Sequence, residues 1–217
     1  MTTLDIFSDP ICPWCLIGKS LLDRALESRP AHPFQVVWHP FQLNPQMPRG
    51  GMDRRDYLEQ KFGSKENAVR VYARIAEAAK AAGVEIHFEK MRRTPNTMDA
   101  HRLIHWAGIE GRQNAVVSAL FSAYFREGAD IGQADVLLAI AERAGMDRAM
   151  VTRLLASDSD LSEIRTRDFH ARSRGITSVP TFIVDHAHAV PGAQPTALWQ
   201  SVIDDLLAQT AQSGAEG

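Results

Sequence analysis

The chain is poor in cysteine, with two among 217 residues. A small secreted domain stapled by disulfides needs more of them at wider spacing, so that class is excluded. Long apolar runs are missing as well. No window approaches the roughly 18 uninterrupted apolar residues expected of a membrane-spanning helix. There is no basic excess either: 24 Lys and Arg stand against 26 Asp and Glu, a formal net charge of -2. No stretch interleaves basic with aromatic residues, so nucleic acid is not an expected partner. The first residues lack a basic leader and carry Asp5 where a signal peptide is apolar. They read as a strand, and the expected compartment is the cytoplasm. What is present is ordinary for a globular protein, 45% hydrophobic and 23% charged. The length allows one domain with a sizeable insertion, or two modest ones.

Residues 3–8 form a strand candidate, broken by Asp9-Pro10. Helical patterning starts at about Pro13, a residue suited to the first helical position. Trp14, Ile17, Leu21, Leu22, Ala25 and Leu26 share one face, and Lys19, Asp23, Arg24 and Glu27 lie opposite. Trp14 either faces the catalytic edge, where it and Pro13 would help dock substrate, or anchors the helix, and the periodicity favours anchoring. Pro30 and Pro33 end that helix, and residues 34–39 read as a second strand. Strand, helix and strand at this spacing make a βαβ unit with a parallel pair. A Pro- and Gly-containing linker spans 44–51. Helical patterns follow at 55–62, 65–82, from a cap at Asn96 or Thr97 to about Gly108, then at 112–127, 134–144, 147–156 and 160–173.

After Gly175 the chain returns to strand pattern at 179–184, turns at 185–187, and returns over 188–190. A last helix covers 196–209, and the polar tail beyond it is expected to fray. The predicted class is α/β: a thioredoxin-like fold (βαβ…ββα) interrupted by an all-helical insertion. Residues 1–48 and 173–217 make the thioredoxin-like domain, and 49–172 the helical insertion domain.

Both cysteines fall in one motif, Cys12-Pro13-Trp14-Cys15, at the start of the first helix. Thiol–disulfide exchange needs one thiol that ionises readily and a second that can expel the mixed disulfide. Cys12 sits where unpaired backbone N–H groups and the helix dipole stabilise an anion. Cys15 lies about one turn later, able to reach Cys12 yet shielded from outside attack. Cys12 is therefore the expected nucleophile, the more exposed of the two, and Cys15 the resolving thiol. A second element is Val179-Pro180. A proline opening a strand needs no special explanation alone. In a layout that also carries Cys-x-x-Cys, the bond is expected to be cis and to dock an extended thiol substrate on the Val179 backbone.

Four blocks span nearly the whole chain: Ser8-Asp9-Pro10-Ile11-Cys12-Pro13-Trp14-Cys15-Leu16-Ile17-Gly18, Phe41-Gln42-Leu43-Asn44-Pro45, Asn96-Thr97-Met98-Asp99-Ala100-His101-Arg102-Leu103, and Ser178-Val179-Pro180-Thr181-Phe182. In this order they resemble the FrnE-like branch of the DsbA family. The resemblance implies a thioredoxin fold with a helical insertion and disulfide oxidoreductase or isomerase activity on protein or small-molecule disulfides and thiols. It also gives Asn44 and Asn96 a claim to contact substrate. No bound cofactor is implied, with glutathione a candidate redox partner or cosubstrate and a homodimer a candidate assembly. Related glutathione-dependent 2-hydroxychromene-2-carboxylate isomerases and kappa-class glutathione transferases share the scaffold. They commonly carry Ser at the position of Cys12 and an Asp-Arg pair after the late glycine. Here that segment reads Gly192-Ala193-Gln194-Pro195. Isomerisation or conjugation of a small aromatic compound is thus the alternative activity.

A structural zinc site would take the cysteine pair plus two histidines. His186 and His188 are in a turn and no second cysteine pair exists, so no metal is expected. His101 and His105 share a helical face and read as a surface or cleft-facing pair. Leu16 is either a groove residue or covered by the insertion. Asp5 and Asp9 both remain candidates to relay a proton to Cys15. A further reading is a helical binding module whose cysteines are only structural.

Overall fold

The structure, a computed structural model, describes residues 1–215. The chain runs β1 (Thr2–Ser8), α1 (Pro13–Ser28) and β2 (Phe34–Pro40), then a short strand β3 (Met52–Asp53). It continues through α2 (Arg54–Phe62), α3 (Lys65–Ala81), β4 (Arg93–Thr94), α4 (Met98–Ile109) and α5 (Gln113–Ser122). A π-helical turn (Ala123–Glu127) leads to α6 (Ala134–Arg143), α7 (Arg148–Leu155) and α8 (Leu161–Ser173). The chain closes with β5 (Thr181–Val184), β6 (His188–Pro191) and α9 (Thr196–Ala215).

The main sheet has four strands in the order β2-β1-β5-β6. β1 and β2 are parallel, with Ile6 opposite Trp38 and Phe7 opposite His39. β5 runs antiparallel to β1, pairing Thr181 with Phe7, and β6 returns antiparallel to β5. Successive strand residues face opposite sides. Leu4 and Ile6 point into the main core, and Phe182 meets Trp199 of α9 edge-on at 4.8 Å. Asp5, Phe7 and Ile183 face the other way, where Arg167, His170 and Ala171 of α8 lie over them. α8 also touches α4, so it joins the sheet to the helical block. On the outer side of β2, the Gln113 amide accepts from Trp38 N–H at 2.8 Å and donates to Trp38 C=O at 3.1 Å. A helix side chain thus satisfies ladder groups that an edge strand would leave open.

Local sequence explains most boundaries. Pro13 opens α1 with no N–H to waste. Asp53, Ser64 and Asp147 cap α2, α3 and α7 by accepting from first-turn N–H groups. Gly63 ends α2 in the left-handed conformation at φ 77.

Several expectations need correction. Trp14 is 39% exposed, so it is not the buried anchor that the periodicity favours. The periodicity puts Lys19 on the open face, yet it is buried and paired with Asp23 at 2.5 Å. Leu16, open to two readings, is buried, in keeping with the one in which the insertion covers it. α3 packs against α1 and covers a face that a bare βαβ unit leaves to solvent. The two-stranded β3–β4 ribbon has no counterpart in the sequence pattern, because its strands are too short for any alternation to register. The pattern over 112–127 splits into α5 and the π-helical turn, and α9 continues to Ala215 instead of stopping near Gln209.

Candidate active site

Cys12 occupies the N-cap of α1, in extended conformation at φ -86, ψ 115, and its carbonyl accepts from the N–H groups of Cys15 and Leu16. The Cys12 thiol donates to the Val179 carbonyl at 3.6 Å, across 167 residues of chain. The Val179–Pro180 bond is cis. Gly18 lets these parts meet: a Cβ there would come 3.1 Å from Pro180 Cγ and 3.3 Å from Phe182 Cζ, so α1 can press against Pro180 only without one. Both thiols are free, and neither is open to solvent. Cys12 is 3% exposed and Cys15 1% exposed, which overturns the expected contrast between an accessible and a shielded thiol.

Cys15 is held among the Cys12 sulfur, the Ser8 hydroxyl and the Asp9 backbone N–H. Burial pushes its thiol well above the ordinary cysteine value. The neighbouring Cys12 adds to the shift, against smaller opposing effects of Ser8 and Asp9 N–H.

The Asp9 carboxyl lies directly behind the motif and is 0% exposed. One oxygen accepts from Ile11 N–H at 3.3 Å and the other from Leu43 N–H at 2.7 Å, and the Thr97 hydroxyl also favours the ionised form. Burial outweighs these bonds and pushes the carboxyl up to about 7. His101 Nε2 stands 3.8 Å from Asp9 Oδ1, beyond hydrogen-bond length, and has no partner of its own. Burial draws this imidazole down to about 4, so it is neutral beside Asp9 at physiological pH. Of the two readings for His101, surface or cleft-facing, burial excludes the surface one: its ring is 3% exposed and lies against Asp9. Of the two relay candidates, only Asp9 borders the cysteines. Asp5 is on the sheet face under α8, bound to His39 at 2.7 Å and His186 at 2.9 Å.

The segment after β2 is stitched to three elements. Gln42 N–H donates to Asp168 of α8 at 2.8 Å, and its side chain donates to Thr97 Oγ1 at 3.4 Å. Arg172 pairs with Asp168, donates to the Gln42 carbonyl and stacks over Phe41 at 4.0 Å. The helical block thereby reaches the catalytic edge through α4 and α8. Asn44 Oδ1 accepts from the Tyr57 hydroxyl at 3.0 Å, while its Nδ2 is buried without a partner. Asn96 is spent within the chain: Nδ2 donates to Met47 C=O at 2.6 Å and Oδ1 accepts from Met98 N–H at 2.9 Å. It caps α4 and ties down the linker.

The sequence assigns no role to Ser8 or Gly18, and gives Thr97 only a place as a helix cap and His101 only one in a histidine pair. Ser8 was discoverable, because the residue ending the strand before the motif must lie near Cys15. Thr97 and His101 come from another part of the chain, and no local pattern points from them to Cys15. Among the described residues, no group of three or more His, Cys, Asp or Glu is arranged to hold a metal ion. None of their helices is long and apolar enough to cross a membrane.

The whole arrangement has known counterparts. The model of the DsbA-like thioredoxin domain matches residues 3–204. The YwbO protein of Bacillus subtilis is 28% identical over 203 residues, covering 93% of this chain and 96% of that one. A probable DsbA oxidoreductase of Streptomyces coelicolor superposes with a TM-score of 0.82 at 29% identity, over 96% of this chain and 91% of the other. The cytosolic disulfide reductase DsbM of Pseudomonas aeruginosa, solved with glutathione, shares the fold at a TM-score of 0.66 and 18% identity, over 95% and 99% of the chains. With Cys12 at the head of α1 against Val179 and Cys15 behind it, the chain belongs to the DsbA-like thioredoxin-domain family and is an oxidoreductase of that kind.

Proposed function

We propose that the protein exchanges disulfides through Cys12-Pro13-Trp14-Cys15. The observation that carries this reading is the placement of the Cys12 sulfur, at the head of α1 and 3.6 Å from the Val179 carbonyl, with Cys15 enclosed behind it. In the reduced protein the Cys12 thiolate attacks one sulfur of the substrate disulfide. That S–S bond breaks, the first half leaves as a thiolate, and Cys12 holds the second half as a mixed disulfide. Cys15 then gives up its proton and attacks the Cys12 sulfur, releasing the second half. Two electrons have passed to the substrate, and the enzyme is left as the Cys12–Cys15 disulfide. The reverse sequence oxidises a dithiol.

The Cys15 step needs a proton acceptor because burial holds that thiol protonated. Asp9, raised to about 7 and six residues before Cys15 in the segment that leads into the motif, is the acceptor in this scheme. The Val179 and Pro180 backbone docks the substrate, and the exposed Trp14 ring offers it an apolar rim. Asn44 keeps its claim to substrate contact through its unpartnered Nδ2, whereas Asn96 loses it. Because Cys12 is covered, an incoming disulfide has to displace neighbouring side chains to reach it.

Small or extended disulfides are the expected substrates. Glutathione is the proposed small-thiol partner, in keeping with the fold shared with a reductase solved with it, and the cytoplasm the proposed compartment. No feature of this site favours conjugation of an aromatic compound: Gln194, after the late glycine, is turned back onto the Pro191 carbonyl.

Intact-mass trapping with a model disulfide tests the scheme. Cys12→Ser should form no adduct, and Cys15→Ser should accumulate one that dithiothreitol releases. An adduct on the Cys12→Ser protein alone would reverse the roles, and full turnover by both variants would end the redox reading.

A further inference from the structure

On the sheet face away from the main core, β1, β2, β5 and α8 enclose a cavity of about 240 Å³. It takes up His186 and lies beside His105, two of the histidines that the thiol chemistry does not use. Asp5 is the single acid in its lining, and both its oxygens are taken, one by His39 Nε2 and one by His186 Nδ1. Arg167 donates to His39 Nδ1 and to His105 Nδ1, each at 3.1 Å. A guanidinium can only donate, so both Nδ1 atoms are acceptors and His39 carries its proton on Nε2, facing Asp5. Both imidazoles are then neutral in this arrangement, and the Arg167 charge has no compensating partner. Glu163, one turn earlier on α8, acts on it only through space, and no described carboxylate forms an ion pair with Arg167 or with Arg174. Two permanent cations, with the His170 and His186 rings beside them, therefore converge on one cavity whose lone carboxylate is already engaged.

A half-buried arginine normally finds a carboxylate, because its desolvation is otherwise uncompensated. Here the space that such a partner would fill is empty of protein. At about 240 Å³ the cavity is below the range of pockets that hold drug-sized organic ligands, so it suits a small ion. Arginine forks match the oxygens of phosphate or carboxylate.

We propose that this cavity is a binding site for a small oxyanion, held by Arg167 and Arg174 with the His170 and His186 rings at its rim. The site is separate from Cys12 and does not depend on the disulfide scheme.

Histidine ring resonances followed by NMR at fixed pH and matched ionic strength test this, with inorganic phosphate and succinate as probes and chloride as the screening control. Saturable shifts of the His39, His170 and His186 rings, with the distant His32 ring silent, are the expected result. Arg174→Gln should weaken binding about tenfold, the loss of one charged contact. Arg167→Gln should abolish it, and Cys12→Ser should leave it unchanged. Arg167 also holds two imidazoles, so the exposed Arg174 supplies the variant that cannot be dismissed as misfolded. Shifts no larger than those with chloride, or parental affinity in Arg174→Gln and Arg167→Gln alike, would overturn the proposal.

Discussion

The sheet unit and the helical block contribute to the active site in different currencies. We propose the division at residues 1–48 and 173–217 for the first and 49–172 for the second, with α8 on the seam between β2 and α4. The sheet unit supplies the sulfurs, the Val179 carbonyl, Ser8 and Asp9. The block supplies no reacting atom. It supplies enclosure: Thr97 and His101 from α4 border the Asp9 carboxyl, and Asp168 and Arg172 from α8 fix the Gln42 backbone beside it. Without that cover Asp9 would be an ordinary solvated carboxylate. The chemistry is encoded in one region and its protonation behaviour is set by the other.

The largest expected effect breaks the comparison on one side only. Cys12→Ser should remove all disulfide exchange in an insulin-reduction assay, while Thr97→Ala should slow it and shift its pH profile without abolishing it. Total loss with Thr97→Ala in a folded protein would mean that the block does more than enclose.

Asp9→Asn comes next, and its sign can be worked out. A carboxyl at about 7 in the folded state binds more protons than in the unfolded chain from about pH 4 upward. Its contribution to stability is therefore fully present at low pH and is lost as pH rises through about 7. His101, drawn down to about 4, behaves in the opposite way: its contribution is present above the ordinary imidazole value and lost as pH falls toward about 4. In the parent the two partly cancel. Removing the Asp9 titration should make stability climb more steeply between pH 4 and 8, by on the order of 4 kcal/mol relative to the parent. Urea denaturation across that range measures it, and parallel curves would show that Asp9 is not buried as described.

Arg102 sharpens the other side. It is 1% exposed, donates to the Leu154, Ser157 and Ser159 carbonyls, pairs with Asp99 at 2.8 Å and lies 4.8 Å from the Trp106 ring centroid. Arg102→Ala should destabilise the block by about 3 kcal/mol, since the buried guanidinium is removed and three partly buried carbonyls lose their donor together. Trapping by Cys12 in the protein that remains folded should be unchanged. Gln113→Ala, which uncovers the Trp38 backbone, should cost a smaller 1–2 kcal/mol or so in the same denaturation experiment. At the bottom of the scale, Arg29→Ala removes an exposed pair with Asp204 and should leave stability unaltered.

The active site was legible where it is local. Pro13 and the apolar spacing after it announce α1, and a cysteine just before that proline must lie at the helix head. The same local reading failed at Trp14 and Lys19. An amphipathic period says which residues share a face, and it does not say whether a sheet edge, another helix or water will meet that face.

The order of strands and helices, the Cys12–Cys15 pair and the Val179–Pro180 strand start were thus determined by the sequence itself, because turns, caps and periodicity act over a few residues. Tertiary structure alone decided that Cys12 is covered, that Asp9 rather than Asp5 borders Cys15, and that Arg167 faces imidazoles instead of a carboxylate. The cover of Cys12 and the surroundings of Arg167 depend on contacts between segments far apart in the chain, and the burial of Asp9 on the bond its carboxylate accepts from Leu43 N–H and on His101 of α4 beside it. Desolvation and electrostatic pairing act across such contacts through space, and sequence spacing carries no record of them.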